Sequence, residues 1–420
     1  MKKIFIVFLP LIFALALSIP ALCMYENGEG LYSDAVYMEN LNTGRVIIDY
    51  NSTEKMFPAS LTKVLTCIIA IEKTTSLDET FEIPSGIFDD IYAQGGANIA
   101  LKTGEIVTIS DLLHATLIRS ACDSATALAC YVSGSVEEFA KEMNAKAREI
   151  GALNSNFVNA HGLHDNNHFS SAEDMAKIAK YALQNETFYD IISKYSHTIP
   201  ETNMSGERYF ESTMEIELPE NEHYYPHATG VKSGFTDEAG RCLITMAEKD
   251  GEKHLLVSLG ANRDRYYLSN MAYTDAVNLY EYAFAQYDIV EIVKSDTPIC
   301  AIDVECGVYQ KVALITPQEV TSLKALNEEA VFEYDLPEAL VSPVSKDVQA
   351  GTLTVTINEE SHTLPLFPES NVEKAKTSSV VSDNPFVTGI NFLSIAIFLI
   401  STVILVYFCL KFFKKKKAKK

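Results

Sequence analysis

The sequence predicts an α/β protein of the α+β type, an antiparallel sheet flanked by helices, followed by a small β-rich domain. Three observations carry this. Alternating runs around tight turns read as hairpins near residues 33–50 and 242–259. Capped segments with helical periodicity lie between them. After residue 288 that periodicity fades and short Val/Ile/Thr-rich runs recur. At 420 residues, 47% of them hydrophobic, the chain can bury more than one core, which excludes a disordered or collagen-like protein.

The elements follow in order. Residues 33–50 alternate around Asn42-Thr43-Gly44, a hairpin signal. Pro58 precedes a continuous apolar run, Val64 to Ile71, which reads as a buried helix. Ile109 to Val132 reads as one apolar helical stretch. Ser135-Val136-Glu137-Glu138 is a capping box, and Phe139, Met143, Ala147 and Ile150 share a face before Gly151. Ser171 with Asp174 opens another helix, to about Leu183. Cys242–Ala247 and Leu255–Leu259 flank Lys249-Asp250-Gly251 as a second hairpin. Ser269 to Tyr287 reads as a helix. Residues 289–367 form the β-rich domain, and 368–388, rich in Ser, Pro, Asn and Lys, read as a linker.

Charge is distributed unevenly. The chain has 34 basic and 56 acidic residues, net −22. Two lysines lie in the first 23 residues and seven in the last ten, and neither end carries an acid. Removing those nine leaves 25 basic against 56 acidic residues, a net of −31 for the middle. Nucleic acid is excluded as the main partner, because phosphate binding needs clustered Lys and Arg. The basic, apolar start predicts a signal peptide over 1–23. Residues 389–410, GINFLSIAIFLISTVILVYFCL, are 22 uncharged residues, enough for a transmembrane helix. The lysine-rich tail 411–420 predicts a cytoplasmic end and an extracellular body at the cell membrane. In that compartment Cys300 and Cys306 could pair. The other body cysteines read as small buried residues, and no C-x-x-C zinc pattern occurs.

Three segments carry chemistry. If Pro58 opens a helix, Ser60 and Lys63 are neighbours on one face. An apolar helix would desolvate Lys63 and favour its neutral amine, which could take a proton from Ser60. Lys232-Ser233-Gly234, on an edge strand, suits an anionic carboxylate, with Gly234 allowing close backbone approach. Ser120-Ala121-Cys122-Asp123 lies in a helical region between the two, where a hydroxyl could shuttle a proton. Each has a bland reading by itself: a chance spacing, a polar strand end, a helix-internal serine. His161, His164 and His168 with Asp165 form a His-rich segment. A metal site would need it to be helical, and Gly162 with Asn166-Asn167 argues for a loop beside the site. No cofactor is called for.

Together, in this order and spacing, the three segments resemble the S-x-x-K, S-x-N and K-[ST]-G set of penicillin-interacting serine enzymes. FPASLTKVLT, GVKSGFTDEAGRCL and FVNAHGLHDNNHFSSAEDMA resemble the low-molecular-mass penicillin-binding proteins that are serine D-alanyl-D-alanine carboxypeptidases, over about residues 30–285. The resemblance implies a β-lactamase/transpeptidase-like catalytic domain over 24–288. It implies Ser60 as nucleophile, Lys63 as general base and Ser120 as proton relay. Lys232 and Ser233 would hold the terminal carboxylate, Gly234 would flank it, and the backbone N–H groups of Ser60 and Phe235 would form the oxyanion hole. The implied partners are peptidoglycan stem peptides ending in D-Ala-D-Ala, and β-lactams. Cys122 stands where the family has Asn, and a thiol offers only weak versions of the amide's hydrogen bonds. Two alternatives stay open: a weakly active penicillin-sensing or wall-binding protein, and a serine β-lactamase with Glu173 as its deacylating base.

Overall fold

The computed structural model describes residues 25, 27–261, 270–358 and 360–376. The expected signal peptide and the expected span at 389–410 lie outside them. Among the described residues no helix is long and apolar enough to cross a membrane. The chain divides into two units at Gln286/Tyr287.

The first unit begins with the hairpin β1 (Ala35–Asn40) and β2 (Val46–Tyr50). Asn40 Oδ1 accepts from the N–H groups of Asn42 and Thr43 and from the Thr43 hydroxyl, and Gly44 turns the chain at φ +79°. A 3₁₀ turn, Ala59–Leu61, leads into α1 (Thr62–Lys73). Every residue of α1 from Thr62 to Ala70 is buried, so this helix forms the centre of the unit rather than an amphipathic face. Next come β3 (Thr80–Glu82), α2 (Asp89–Ala93), β4 (Ile106–Thr108), α3 (Ile109–Ile118) and α4 (Cys122–Ser133). After these stand α5 (Val136–Ile150), α6 (Ala172–Leu183), α7 (Glu186–Ile192) and the ribbon of β5 (Ser196–Ile199) and β6 (Arg208–Glu211). The side chains of Thr108, Ser135, Ser171 and Asn185 cap α3, α5, α6 and α7. Gly151 ends α5 in the left-handed region. The unit closes with β7 (Ala228–Thr236), β8 (Gly240–Lys249), β9 (Glu252–Ala261) and α8 (Met271–Gln286).

The main sheet is antiparallel, in the order β2-β1-β9-β8-β7, so β7 is an edge. Leu255, Val257 and Leu259 of β9 join one core with α1, α3, α4 and α6. The alternate residues turn to the other face, where Thr245 of β8 bonds the Tyr280 hydroxyl of α8 at 2.8 Å.

One sequence expectation is corrected here. Ile109–Val132 is not a single helix. It breaks between α3 and α4 at Arg119–Ala121, with Ser120 at φ +62°. No glycine or proline marks the break, and tertiary hydrogen bonds hold it. The Cys122 N–H donates to Ala97 O at 2.7 Å. The buried Asp123 carboxylate accepts from the N–H groups of Ile99 and Leu101.

The second unit is all β. It contains β10 (Tyr287–Val293), β11 (Cys300–Glu305), β12 (Lys311–Ile315), β13 (Val320–Ala325), β14 (Val331–Asp335), β15 (Ala339–Val341), β16 (Gly351–Ile357) and β17 (Glu360–Pro368). β10 pairs with β13, and the other six form one sheet, β14-β16-β17-β12-β11-β15. Val304, Val312, Leu314, Leu353, Val355 and Leu366 contribute to its core. Residues 369–376, expected as linker, belong to this unit: Val372 is buried and exchanges two 2.9 Å backbone hydrogen bonds with Val344. Cys300 and Cys306, expected as a possible pair, carry free thiols.

Candidate active site

The site is built around the turn that carries Ser60. Ala59 precedes it with φ +46°, an unfavourable conformation for a residue with a Cβ. Packing holds that strain in place. The Thr62 hydroxyl donates to Ala59 O at 2.8 Å, and the Gly162 α-carbon abuts the same carbonyl so closely that a Cβ there would stand 1.8 Å from it. His168 Nδ1 accepts the Val158 N–H, so its Nε2 carries the proton and donates to Thr62 Oγ1 at 2.8 Å. Burial pushes the His168 ring down to about 4, which keeps it neutral in this role.

Lys63 is the second residue of α1 and is fully buried. Its Nζ donates to Ser60 Oγ at 2.7 Å, to His161 O at 2.6 Å and to Cys122 Sγ at 3.4 Å. An ammonium has three protons, and here each has an acceptor. When the amine is neutral, the short contact to Ser60 reverses and the serine proton points at nitrogen. This is a nucleophile in hydrogen-bond contact with its base.

Lys232 comes from β7. A bulge between Gly230 and Lys232 shifts its register against β8. The side chain is fully buried and donates to Ser233 O at 2.9 Å. Burial, reinforced by the charge on Lys63, brings its ammonium down to about 7. Two residues on, Gly234 lies against the Ser60 backbone: a Cβ at 234 would be 2.7 Å from Ser60 N. Ser233 is half-buried and within hydrogen-bond reach of the buried Tyr273 hydroxyl of α8. Phe235 is exposed, with the Arg241 guanidinium 5.2 Å from its ring centroid.

The sequence-derived residues therefore converge unevenly. Lys63 touches both Ser60 and Cys122, Gly234 abuts Ser60, and Lys232 lies within electrostatic range of Lys63. Ser120 sits on the α3–α4 break rather than inside a helix, and its hydroxyl is not among the three partners of Lys63. The thiol of Cys122 occupies that place. The His-rich segment is a loop, as its glycine and asparagines imply, and it contributes more than a wall. His161 supplies a carbonyl to Lys63, and His168 braces Thr62. His164 packs edge-on to Phe57, with ring centroids 4.7 Å apart. His161 itself is buried and pushed down to about 3, first by desolvation and then by the charge on Lys63. Sequence reasoning missed the His161 carbonyl and Tyr273. The first has no side-chain signature, and the second lies far along the chain in an ordinary helix.

Comparison with known proteins is consistent across sequence and structure. A family model described as D-alanyl-D-alanine carboxypeptidase matches residues 29–263. The D-alanyl-D-alanine carboxypeptidase DacF of Bacillus subtilis is 28% identical over 351 residues, covering 83% of this chain and 87% of that protein. DacC of Escherichia coli is 28% identical over 348 residues, covering 79% and 82%. Among solved structures, a penicillin-binding protein 3 of Streptococcus pneumoniae shares the fold, with TM-score 0.61 and 21% identity, over 82% of this chain and all of that one. A variant of the Streptomyces K15 DD-transpeptidase aligns with TM-score 0.55 and 25% identity over 61% and 98%.

Proposed function

Since the chain belongs to the D-alanyl-D-alanine carboxypeptidase family of serine peptidases, we propose that Ser60 carries the acyl group and that the site works as follows. Ser60 Oγ attacks the carbonyl carbon of the penultimate D-Ala, and its proton passes to the Lys63 amine, the base in contact with it. The negative charge developing on the carbonyl oxygen falls to the backbone N–H groups of Ser60 and Phe235. The C–N bond then breaks, and the departing D-Ala nitrogen takes a proton from Lys63; the relay that the family resemblance implies for Ser120 requires its hydroxyl to turn in beside the Cys122 thiol that Lys63 now contacts. Water adds to the ester and gives its proton to Lys63, which passes it to Ser60 Oγ as the ester C–O bond breaks and the shortened peptide leaves. Lys232 and Ser233 hold the terminal carboxylate, whose arrival stabilises the Lys232 charge. A β-lactam carries the same carboxylate and acylates Ser60 by the same path.

The observation that carries this reading is the 2.7 Å contact between Lys63 Nζ and Ser60 Oγ, in a pocket where the lysine is otherwise fully bonded. The test is release of D-alanine by the full chain from a peptide ending in D-Ala-D-Ala, with Ser60→Ala as control. Release lost in the variant supports the reading. A folded wild-type chain that is acylated by penicillin but releases no D-alanine overturns it in favour of penicillin sensing. The β-lactamase alternative is disfavoured because Glu173, the base it needs, is paired with Lys177 at 2.9 Å on the first turn of α6.

The same proposal places the protein at the cell membrane. Residues 1–23 direct export, 389–410 cross the bilayer, and 411–420 stay in the cytoplasm; the charge asymmetry of the sequence supports this. Protease added outside intact cells should remove both folded units and leave the C-terminal tail.

A further inference from the structure

We propose that the loop region 340–350 of the second unit rests on the lipid surface, so that this unit stands on the bilayer through an apolar foot. The inference rests on the proposed C-terminal span. Leu340, Val341, Pro343, Val344, Val348 and Ala350 line most of a shallow hollow of about 180 Å³, and no charged side chain lines it. Val341 and Val348 are 68% and 63% exposed at its rim. Isolated exposed apolar residues need no explanation, but a group around an apolar hollow marks a contact surface.

The position of this surface along the chain identifies its occupant. The hollow is strapped to the C-terminal end of the unit: Val344 and Val372 exchange two backbone hydrogen bonds, and the Lys346 N–H donates to Asn371 Oδ1 at 2.8 Å. Only residues 377–388 separate Lys376 from the apolar segment beginning at Gly389. Whatever their conformation, they reach at most about 45 Å. Lys376, at the end of the strap, is thus tethered within about 45 Å of the membrane that residues 389–410 are proposed to enter.

Charge points the same way. Between residues 287 and 376 the sequence has 16 acidic residues and six lysines. A second copy of the unit would bring a second net charge of −10 against the first. Three of those six lysines, Lys346, Lys374 and Lys376, lie on the strapped segments beside the hollow, where Asp347, Glu369 and Glu373 balance them. The local balance leaves this apolar rim near neutral in an otherwise acidic unit, so it is the part of the unit that an acyl–headgroup boundary repels least.

The chain contains no tryptophan, so one placed at the rim reports alone. The full chain carrying Val348→Trp, or Val341→Trp as a second variant, is reconstituted into phosphatidylglycerol/phosphatidylethanolamine vesicles. The lipids are brominated near the headgroup end of the acyl chains. The expected result is a blue shift and quenching at both positions. Leu326→Trp, equally exposed at 67% but next to Ala325, which pairs with Tyr287 at the start of the unit, should stay unquenched. Protein that floats with the vesicles while Val348→Trp and Val341→Trp both stay unquenched overturns the foot and leaves the span intact. Protein that fails to float overturns the span and the foot with it. A blue shift that grows with protein concentration in the absence of lipid overturns the foot in favour of self-association.

Discussion

Replacing Gly162 with Ala tests whether the His-rich loop sets the position of the nucleophile. A Cβ at residue 162 would stand 1.8 Å from Ala59 O and 2.8 Å from Thr62 Oγ1, where contacts below 3.0 Å are essentially never found. The carbonyl or the loop must therefore retreat by about 1.2 Å, the gap between those limits. The residue also sits at φ +81°. An alanine in that region costs about 1–2 kcal/mol, partly offset by about 0.4–1 kcal/mol from stiffening the unfolded chain. Gly44 supplies the matched control, with φ +79° and nothing within 4 Å of its would-be Cβ. Gly44→Ala should lose about 1 kcal/mol of stability and keep its acylation rate. Gly162→Ala carries the same backbone cost and in addition displaces Ala59, next to Ser60. A misplacement near 1 Å at a reacting group costs on the order of 100-fold in rate. The assay is the second-order rate constant for acylation by a fluorescent penicillin, with thermal melting of both variants alongside. Acylation of Gly162→Ala within about threefold of wild type would refute the argument that this loop buttresses the nucleophile.

Further predictions follow from the same contacts. Lys232 has a folded value of about 7 against an ordinary 10.5. Below pH 7 the group is charged in both states and its burial cost is present in full, on the order of 5 kcal/mol. That cost is relieved as pH rises from 7 to 10.5, because the folded protein gives up the proton first. Attraction for a carboxylate moves the opposite way, so acylation by a β-lactam carboxylate should decline above pH 7. Lys232→Arg stays charged and should lack that decline, and an identical basic limb in both proteins would count against the role. His168, held down to about 4 from 6.5, gives stability that is complete above pH 6.5 and lost as pH falls to 4, about 3 kcal/mol in size. His168→Gln keeps a donor for Thr62 and should flatten the acid fall in melting temperature over that window. Cys122→Ala removes only a weak 3.4 Å contact to Lys63, whose bonds to Ser60 and His161 remain, so its acylation rate should stay within about threefold of wild type. A hundredfold loss would make the thiol essential to the site.

Local chemistry explains which parts of the fold were legible. The Asn40–Gly44 turn, the caps at Ser135 and Ser171 and the stop at Gly151 are settled within four residues, and the structure forms them where the pattern puts them. The paired strands β8 and β9 announce themselves through Lys249-Asp250-Gly251. The ribbons β3–β4 and β5–β6 are only three and four residues long per strand, too short for alternation to register.

By itself the sequence determined the α+β class, the change of texture after residue 288, the charge asymmetry of the ends and the side chains Ser60, Lys63 and Lys232. Side-chain chemistry and short-range periodicity are written directly in residue order. Only the tertiary structure decided how the site closes. The break at Ser120 has no local breaker and exists because Asp123 and Cys122 bond the 97–101 segment. The strained Ala59 is tolerated because Gly162, about a hundred residues away, leaves room for its carbonyl. The third partner of Lys63 is a backbone oxygen, His161 O, which any residue would supply equally well. A carbonyl carries no sequence identity, and its placement depends on the packing of the loop against α1.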